Sequence, residues 1–249
     1  MKWIFISPHL DDVVFSCGGF IWEKVAQGDA IEVWTIFAGI PSQDEFTPFA
    51  QSLHARWGVG MEAIEMRRDE DAKACSMLGA SYRHFDFLDC IYRFFPGHDV
   101  PVVEGEEDLF QSDYHLEPQL FNQISESMCV NIPEEVQFVG PLALGDHIDH
   151  QLVKCALHQV RPAACFFADY PYAGKIEDIG SVVPHRLSQK HFQPISPSAL
   201  KAWQEAIASY QTQISTFWPS IPEMENALEA YWRKGGGCVL WGAAQGNAC

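Results

Sequence analysis

Apolar and polar positions alternate in blocks along this chain. Trp3 to Ser7 is a short apolar run that reads as a strand buried on both faces. A polar turn follows, then apolar positions at helical spacing from about Val13 to Gln27, where Gly28 can end the helix in the left-handed conformation. A second strand is expected at Ile31 to Phe37. After a Gly/Pro/Ser-bearing stretch from Ala38 to Gly60, read as a functional or partly helical loop, Met61 to Leu78 has the pattern of a charged amphipathic helix. Gly79 closes it, and Tyr82 to Phe87 reads as a third strand.

The middle is less regular. Phe94 to Glu117 carries prolines, glycines and an acidic run from Glu104 to Asp108, which reads as a solvated loop. A helix at Glu117 to Cys129 and a strand at Val136 to Leu142 lead into Gly145-Asp146-His147-Ile148-Asp149-His150. A helix from about Asp149 to Val160 and a strand at Ala164 to Ala168 come next, then Asp169-Tyr170-Pro171-Tyr172, a helix at Ser198 to Phe217, and a turn at Gly235-Gly236-Gly237. Strands alternating with helices predict an α/β fold whose mostly parallel sheet has helices on both faces. At 249 residues, one domain spanning 1–249 is the expectation.

Composition narrows the function classes. A formal charge of −17 opposes binding to nucleic acid or to an anionic membrane, since both need a basic footprint. No stretch reaches the length of an apolar membrane span, and the opening run is cut short by Ser7, a proline, a histidine and two acids, so the sequence reads as cytoplasmic. The eight cysteines form no C-x-x-C pair and sit mostly among apolar neighbours, as free thiols do in a reducing compartment. Aromatic residues at 13% suit a filled core or a homo-oligomer surface alike.

The two polar turns carry the candidate chemistry. Pro8-His9-Leu10-Asp11-Asp12 places an imidazole and two carboxylates after a strand, where open α/β sheets bind ligands. Adjacent aspartates would repel a phosphate, and G-x-G-x-x-G and G-x-S-x-G are both absent, so dinucleotide and serine-hydrolase chemistry are disfavoured. His and Asp suit a divalent metal. His9 and Asp12 can supply two ligands from one segment, His150 is the best third, and His147, three positions earlier, can approach the same site. The plainer readings are a hydrogen-bonded histidine and Asp12 as a helix cap; two His/Asp clusters after two strands favour the metal. Gly18-Gly19 inside a helix costs about 1 kcal/mol per glycine, which implies a close approach by something else.

Pro8-His9-Leu10-Asp11-Asp12 with Gly18-Gly19, joined to His147-Ile148-Asp149-His150, resembles the PIG-L/LmbE-like zinc-dependent N-deacetylases. Arg67-Arg68-Asp69-Glu70 with Leu78-Gly79-Ala80 is similar to that family's R-x-x-E helix. The resemblance implies a Rossmann-like three-layer α/β/α fold and removal of an N-acetyl group from an amino sugar or glycoside-type small molecule. It implies zinc, with another divalent metal such as Fe2+ left open, held by His9, Asp12 and His150. Asp11 would be the general base, His147 a protonated oxyanion partner and acid, and Asp149 the carboxylate orienting the His147 ring. Arg67 and Asp89 would contact sugar hydroxyls; a salt-bridged helix face and a turn aspartate are their alternatives. Leu10 and Val13 depart from the family pattern, and neither position supplies a ligand or the base. Tyr170 and Tyr172 read equally as pocket or core tyrosines. The rival reading is a non-catalytic metal-containing protein, its site closed by His147 as a fourth ligand.

Overall fold

The computed structural model describes residues 1–42, 46–112, 114, 117–129 and 135–243. The opening run forms β1 (Lys2–Ser7), buried from Trp3 onward. The chain continues through α1 (Asp12–Ala26), β2 (Ala30–Thr35), α2 (Pro48–Trp57), α3 (Ala63–Met77), β3 (Ser81–His84), α4 (Pro118–Ser127), β4 (Val136–Pro141), α5 (Ile148–Val160) and β5 (Cys165–Phe167). It then runs through β6 (Leu187–Phe192), α6 (Pro197–Ile207), α7 (Gln211–Phe217), α8 (Ile221–Arg233) and β7 (Val239–Ala243). The strand order is β3-β2-β1-β4-β5-β7-β6, parallel from β3 to β5 and antiparallel where β7 meets β5 and β6. The helices pack in two groups, α4 on α5, and α6 with α1, α3 and α8, which gives the α/β/α arrangement. Among the described residues no helix is long and apolar enough to cross a membrane.

The order places the topological switch between β1 and β4, which pair directly from Lys2 to Phe5 against Val136 to Val139. A crevice opens there outside the carboxyl ends of both strands, because their connections leave in opposite directions. The two His/Asp turns are the segments that follow these two strands. One hydrophobic cluster extends from Trp3 to Leu240.

The partly helical reading of the stretch 38–60 is met, and other expectations change. The stretch 38–60 contains α2, whose first turn is capped by Thr47 through Ala50 N–H at 3.0 Å. The helix expected at Ser198 to Phe217 is two helices, since Tyr210 leaves the helical path to donate its hydroxyl to buried Asp71 at 2.7 Å. Strands β6 and β7 and helix α8 had no counterpart in the reading of the sequence. The stretches 38–60 and 94–117 include residues 43–45, 113, 115 and 116, which lie outside the described residues. Part of 94–117 is not solvated: Val102 and Val103 are buried. The close approach implied by Gly18-Gly19 is made by Trp203, whose Cδ1 lies inside contact distance of a Cβ at Gly18 and whose Nε1 donates to Val14 O at 2.6 Å.

Candidate active site

A tight turn joins β1 to α1. Ser7 Oγ donates to His9 O at 2.7 Å and accepts from Val13 N–H at 3.1 Å, while His9 N–H donates to Asp12 Oδ2 at 2.8 Å. This pins His9, Asp11 and Asp12 at the N-terminus of α1, with Asp12 as its first residue. The β4–α5 turn reverses through Ala143, Gly145 and Asp146, all at positive φ. His147 caps α5: its Nδ1 accepts from Asp149 N–H at 3.3 Å.

His9 Nδ1 and His150 Nε2 both lie 3.3 Å from Asp12 Oδ2. The other ring nitrogens are held by carboxylates, His9 Nε2 by Asp149 Oδ2 at 3.0 Å and His150 Nδ1 by Asp169 Oδ1 at 2.8 Å. Outer carboxylates of this kind fix the proton on the outer nitrogen of each neutral ring and leave the inner lone pair for a metal. The donor set, two imidazoles and a carboxylate, fits a divalent cation that keeps an open position. Without one, burial resists charging His150, but Asp12 and Asp169 outweigh it and raise its pKa to about 9. His9 is likewise raised, burial being overcome by Asp89, Asp12 and Asp149.

Asp11 is nearly buried and does not share the Asp12 contacts. Its Oδ2 is 3.5 Å from Arg67 Nη2. Burial, and next the Asp12 charge, raise it to about 7 against the opposing pull of Arg67 and His9. Arg67 lies 5.2 Å above the Trp57 ring, and its buried Nε has no partner. Asp89 accepts Ile91 N–H at 3.2 Å, as a turn aspartate does, while its Oδ2 lies 3.7 Å from His9 Nε2.

One expectation about the second turn is corrected. The Asp149 carboxylate does not hold the His147 ring. It is fully buried, accepts from Cys90 N–H at 3.0 Å and Arg93 Nη2 at 2.7 Å, and faces His9. Its backbone N–H is what bonds to His147, although the carboxylate lies within 4.8 Å of the ring. Burial and then the neighbouring His9 and His150 push the His147 pKa well below the ordinary histidine value. With Nδ1 accepting, its proton is on Nε2.

His9, Asp12, His150, Asp11, Arg67 and Asp89 line a cavity of about 440 Å3 whose wall also includes Leu53, Trp57, Leu109, Phe110, Tyr172 and Phe217. Arg56 and Glu106 pair at 2.6 Å on its rim. Tyr172 is therefore a pocket residue, whereas Tyr170 stacks on Tyr231 at 4.5 Å in the core. Sequence reasoning missed Asp169, Arg93 and the α7 residues Gln213 and Phe217. Asp169 follows a parallel strand as His9 and His147 do, a signal that was present; Arg93 and α7 carried none.

The sequence matches the family model described as PIG-L, GlcNAc-PI de-N-acetylase, over residues 4–160. The chain belongs to the PIG-L family. The matched part holds His9, Asp11, Asp12, Arg67, Asp89, His147, Asp149 and His150, and ends before α7. The chain is 31% identical over 188 residues to a 2'-N-acetylparomamine deacetylase of Niallia circulans, a match covering 68% of this chain and 66% of that protein. The structure resembles the zinc-inhibited form of teicoplanin deacetylase Orf2, with a TM-score of 0.83, 26% identity and all of both chains covered. It also resembles the A40926 pseudoaglycone deacetylase Dbv21, with a TM-score of 0.74 and 27% identity over 99% of this chain and 98% of that one.

Proposed function

We propose that this PIG-L protein is a zinc-dependent amide hydrolase that removes an N-acetyl group from an amino sugar in a glycoside. The observation that carries the proposal is the convergence of His9 Nδ1 and His150 Nε2 on Asp12 Oδ2, on the wall of a cavity that also receives Asp11. The deacetylase names of the N-acetylparomamine, teicoplanin and A40926 pseudoaglycone relatives support the substrate class.

A divalent metal held by His9, Asp12 and His150 supplies Lewis-acid polarisation of the carbonyl and of water. The chain's own groups do the rest. Asp11, with a pKa near neutrality, accepts the proton of the attacking water. The Nε2–H of His147 donates to the carbonyl oxygen as charge develops on it, which needs only a neutral ring. Asp11, having taken a proton from the water, returns it to the leaving nitrogen. Arg67, whose buried Nε has no partner among the described residues, and Asp89, which lines the cavity, bind sugar oxygens and hydroxyls, and the faces of Trp57, Phe110 and Tyr172 cover apolar parts of the substrate.

One observation favours the structural-site reading: nitrogens of His9, His147 and His150 lie within 4.8 Å of one another. The proton on His147 Nε2 opposes ligation by that atom. The test is metal analysis of wild type, His9→Ala, His150→Ala and His147→Ala, with acetate release from N-acetyl amino sugars and their glycosides. Loss of zinc in the first two variants, its retention in His147→Ala, and acetate release by wild type are expected. Zinc lost with His147→Ala and no acetate from zinc-loaded wild type would overturn the proposal.

A further inference from the structure

Behind His9 lies a chain of buried charges outside the cavity. Arg93, on the turn after β3, gives Nε and Nη2 to Glu117 Oε1 and Oε2 at 2.8 and 2.7 Å, Nη1 to Leu88 O at 2.9 Å, and Nη2 again to Asp149 Oδ1 at 2.7 Å. Its guanidinium lies 5.0 Å above the Phe37 ring, and Tyr114 OH donates to Glu117 Oε2 at 2.9 Å. Arg93, Glu117 and Asp149 are all buried, Asp149 completely. The other oxygen of Asp149 receives Cys90 N–H and His9 Nε2. An arginine shared by two buried carboxylates is more than a counterion for one of them.

We propose that Arg93 is a positioning residue for the metal centre: by fixing the Asp149 carboxylate it turns the His9 ring so that Nδ1, and not Nε2, is presented to the metal. The planar guanidinium matters because one edge binds Glu117 in two places while Nη2 also reaches Asp149, a geometry that a lysine ammonium cannot reproduce. Asp149 is then aligned by bonds from three directions, Arg93, Cys90 N–H and His9. Remove Arg93, and the carboxylate has lost the partner on Oδ1 that sets its plane. His9 keeps its place in the chain and loses the restraint on its ring. Groups that orient a metal-binding histidine from behind typically change metal affinity about 10- to 100-fold when removed. The inference rests on the reading of His9, Asp12 and His150 as the metal donors.

Zinc affinity, measured by competition with a chromophoric chelator, tests it in wild type, Arg93→Met, Arg93→Lys and Arg93→Met/Glu117→Gln. The double variant separates the two roles of the arginine. If Arg93 served only to neutralise Glu117, removing both charges would restore zinc binding; if it acts through Asp149, the loss persists. The expected weakening is about 10- to 100-fold for Arg93→Met and for the double variant, with Arg93→Lys between these and wild type. In the zinc-loaded protein the His9 Nε2–H bound to Asp149 gives a proton resonance downfield of the amides, which the Met variants should lose. Arg93→Lys keeps the test decisive if the Met variants do not fold. Any folded variant that binds zinc within a factor of two of wild type, or recovery in the double variant, overturns the inference. Failure of wild type itself to bind zinc would instead overturn the metal-site reading.

Discussion

Gly18→Ala adds a single methyl group to the middle of α1, and the structure sets its cost. The new Cβ would lie inside contact distance of Trp203 Cδ1 and 2.9 Å from Nε1. The indole is closely seated against three glycine backbones, for a Cβ at Gly19 would also fall 3.0 Å from its Cε3 and one at Gly237 2.6 Å from its Cη2. Displacing it also stretches the buried bond from Nε1 to Val14 O. Overpacking costs about 1–3 kcal/mol and an orphaned buried donor about 1–3 more. Alanine recovers about 1 kcal/mol of helix propensity over glycine. The net loss is about 3 kcal/mol, or about 6–12 °C in melting temperature for a chain of this length. Thermal and urea unfolding, with Gly105→Ala as a methyl placed where nothing lies within 4 Å, provide the measurement. A Gly18→Ala protein that melts at or above wild type would refute the packing argument.

Three other outcomes are expected. Asp11→Asn should retain zinc and lose at least about 10² in kcat, about 3 kcal/mol, read from acetate release alongside metal content; loss of zinc would make Asp11 a ligand. Zinc uptake should release protons, because His9 and His150 are raised when metal-free: below about 9 a proton must leave His150 before the metal binds, so affinity rises with pH through that range, and calorimetry in buffers of different ionisation enthalpy counts the protons. Asp169→Ala should weaken zinc binding by about 10- to 100-fold, since it removes the carboxylate that holds His150 Nδ1, and chelator competition reads the change.

The parts of the site that the sequence revealed are those carried by a strand and the turn that follows it. Trp3 to Ser7 reads as a buried strand without any tertiary knowledge, and His9, Asp12 and His150 meet because β1 and β4 are neighbours at the switch point. What the Asp149 side chain faces depends on Arg93, which no local pattern links to it. The break before α7 depends on Tyr210 finding Asp71, and propensity alone runs the helix on to Phe217. Strand β6 is mostly exposed and β7 is short, so neither carries a sustained apolar run. The lowered pKa of His147 has a cause of the same kind: its burial beside two other histidines exists only in the folded chain.

Helix α7 is tied to α3 by Glu70, which accepts from both Thr212 N–H and Thr212 Oγ1, and Gln213, Thr216 and Phe217 then face the cavity. The segment that shapes this wall lies beyond residue 160, where the family match ends, while His9, Asp11, Asp12, His147 and His150 lie before it. Substitutions on the cavity face of this seven-residue helix would reshape the pocket wall without replacing the groups that line it from α1 and α5.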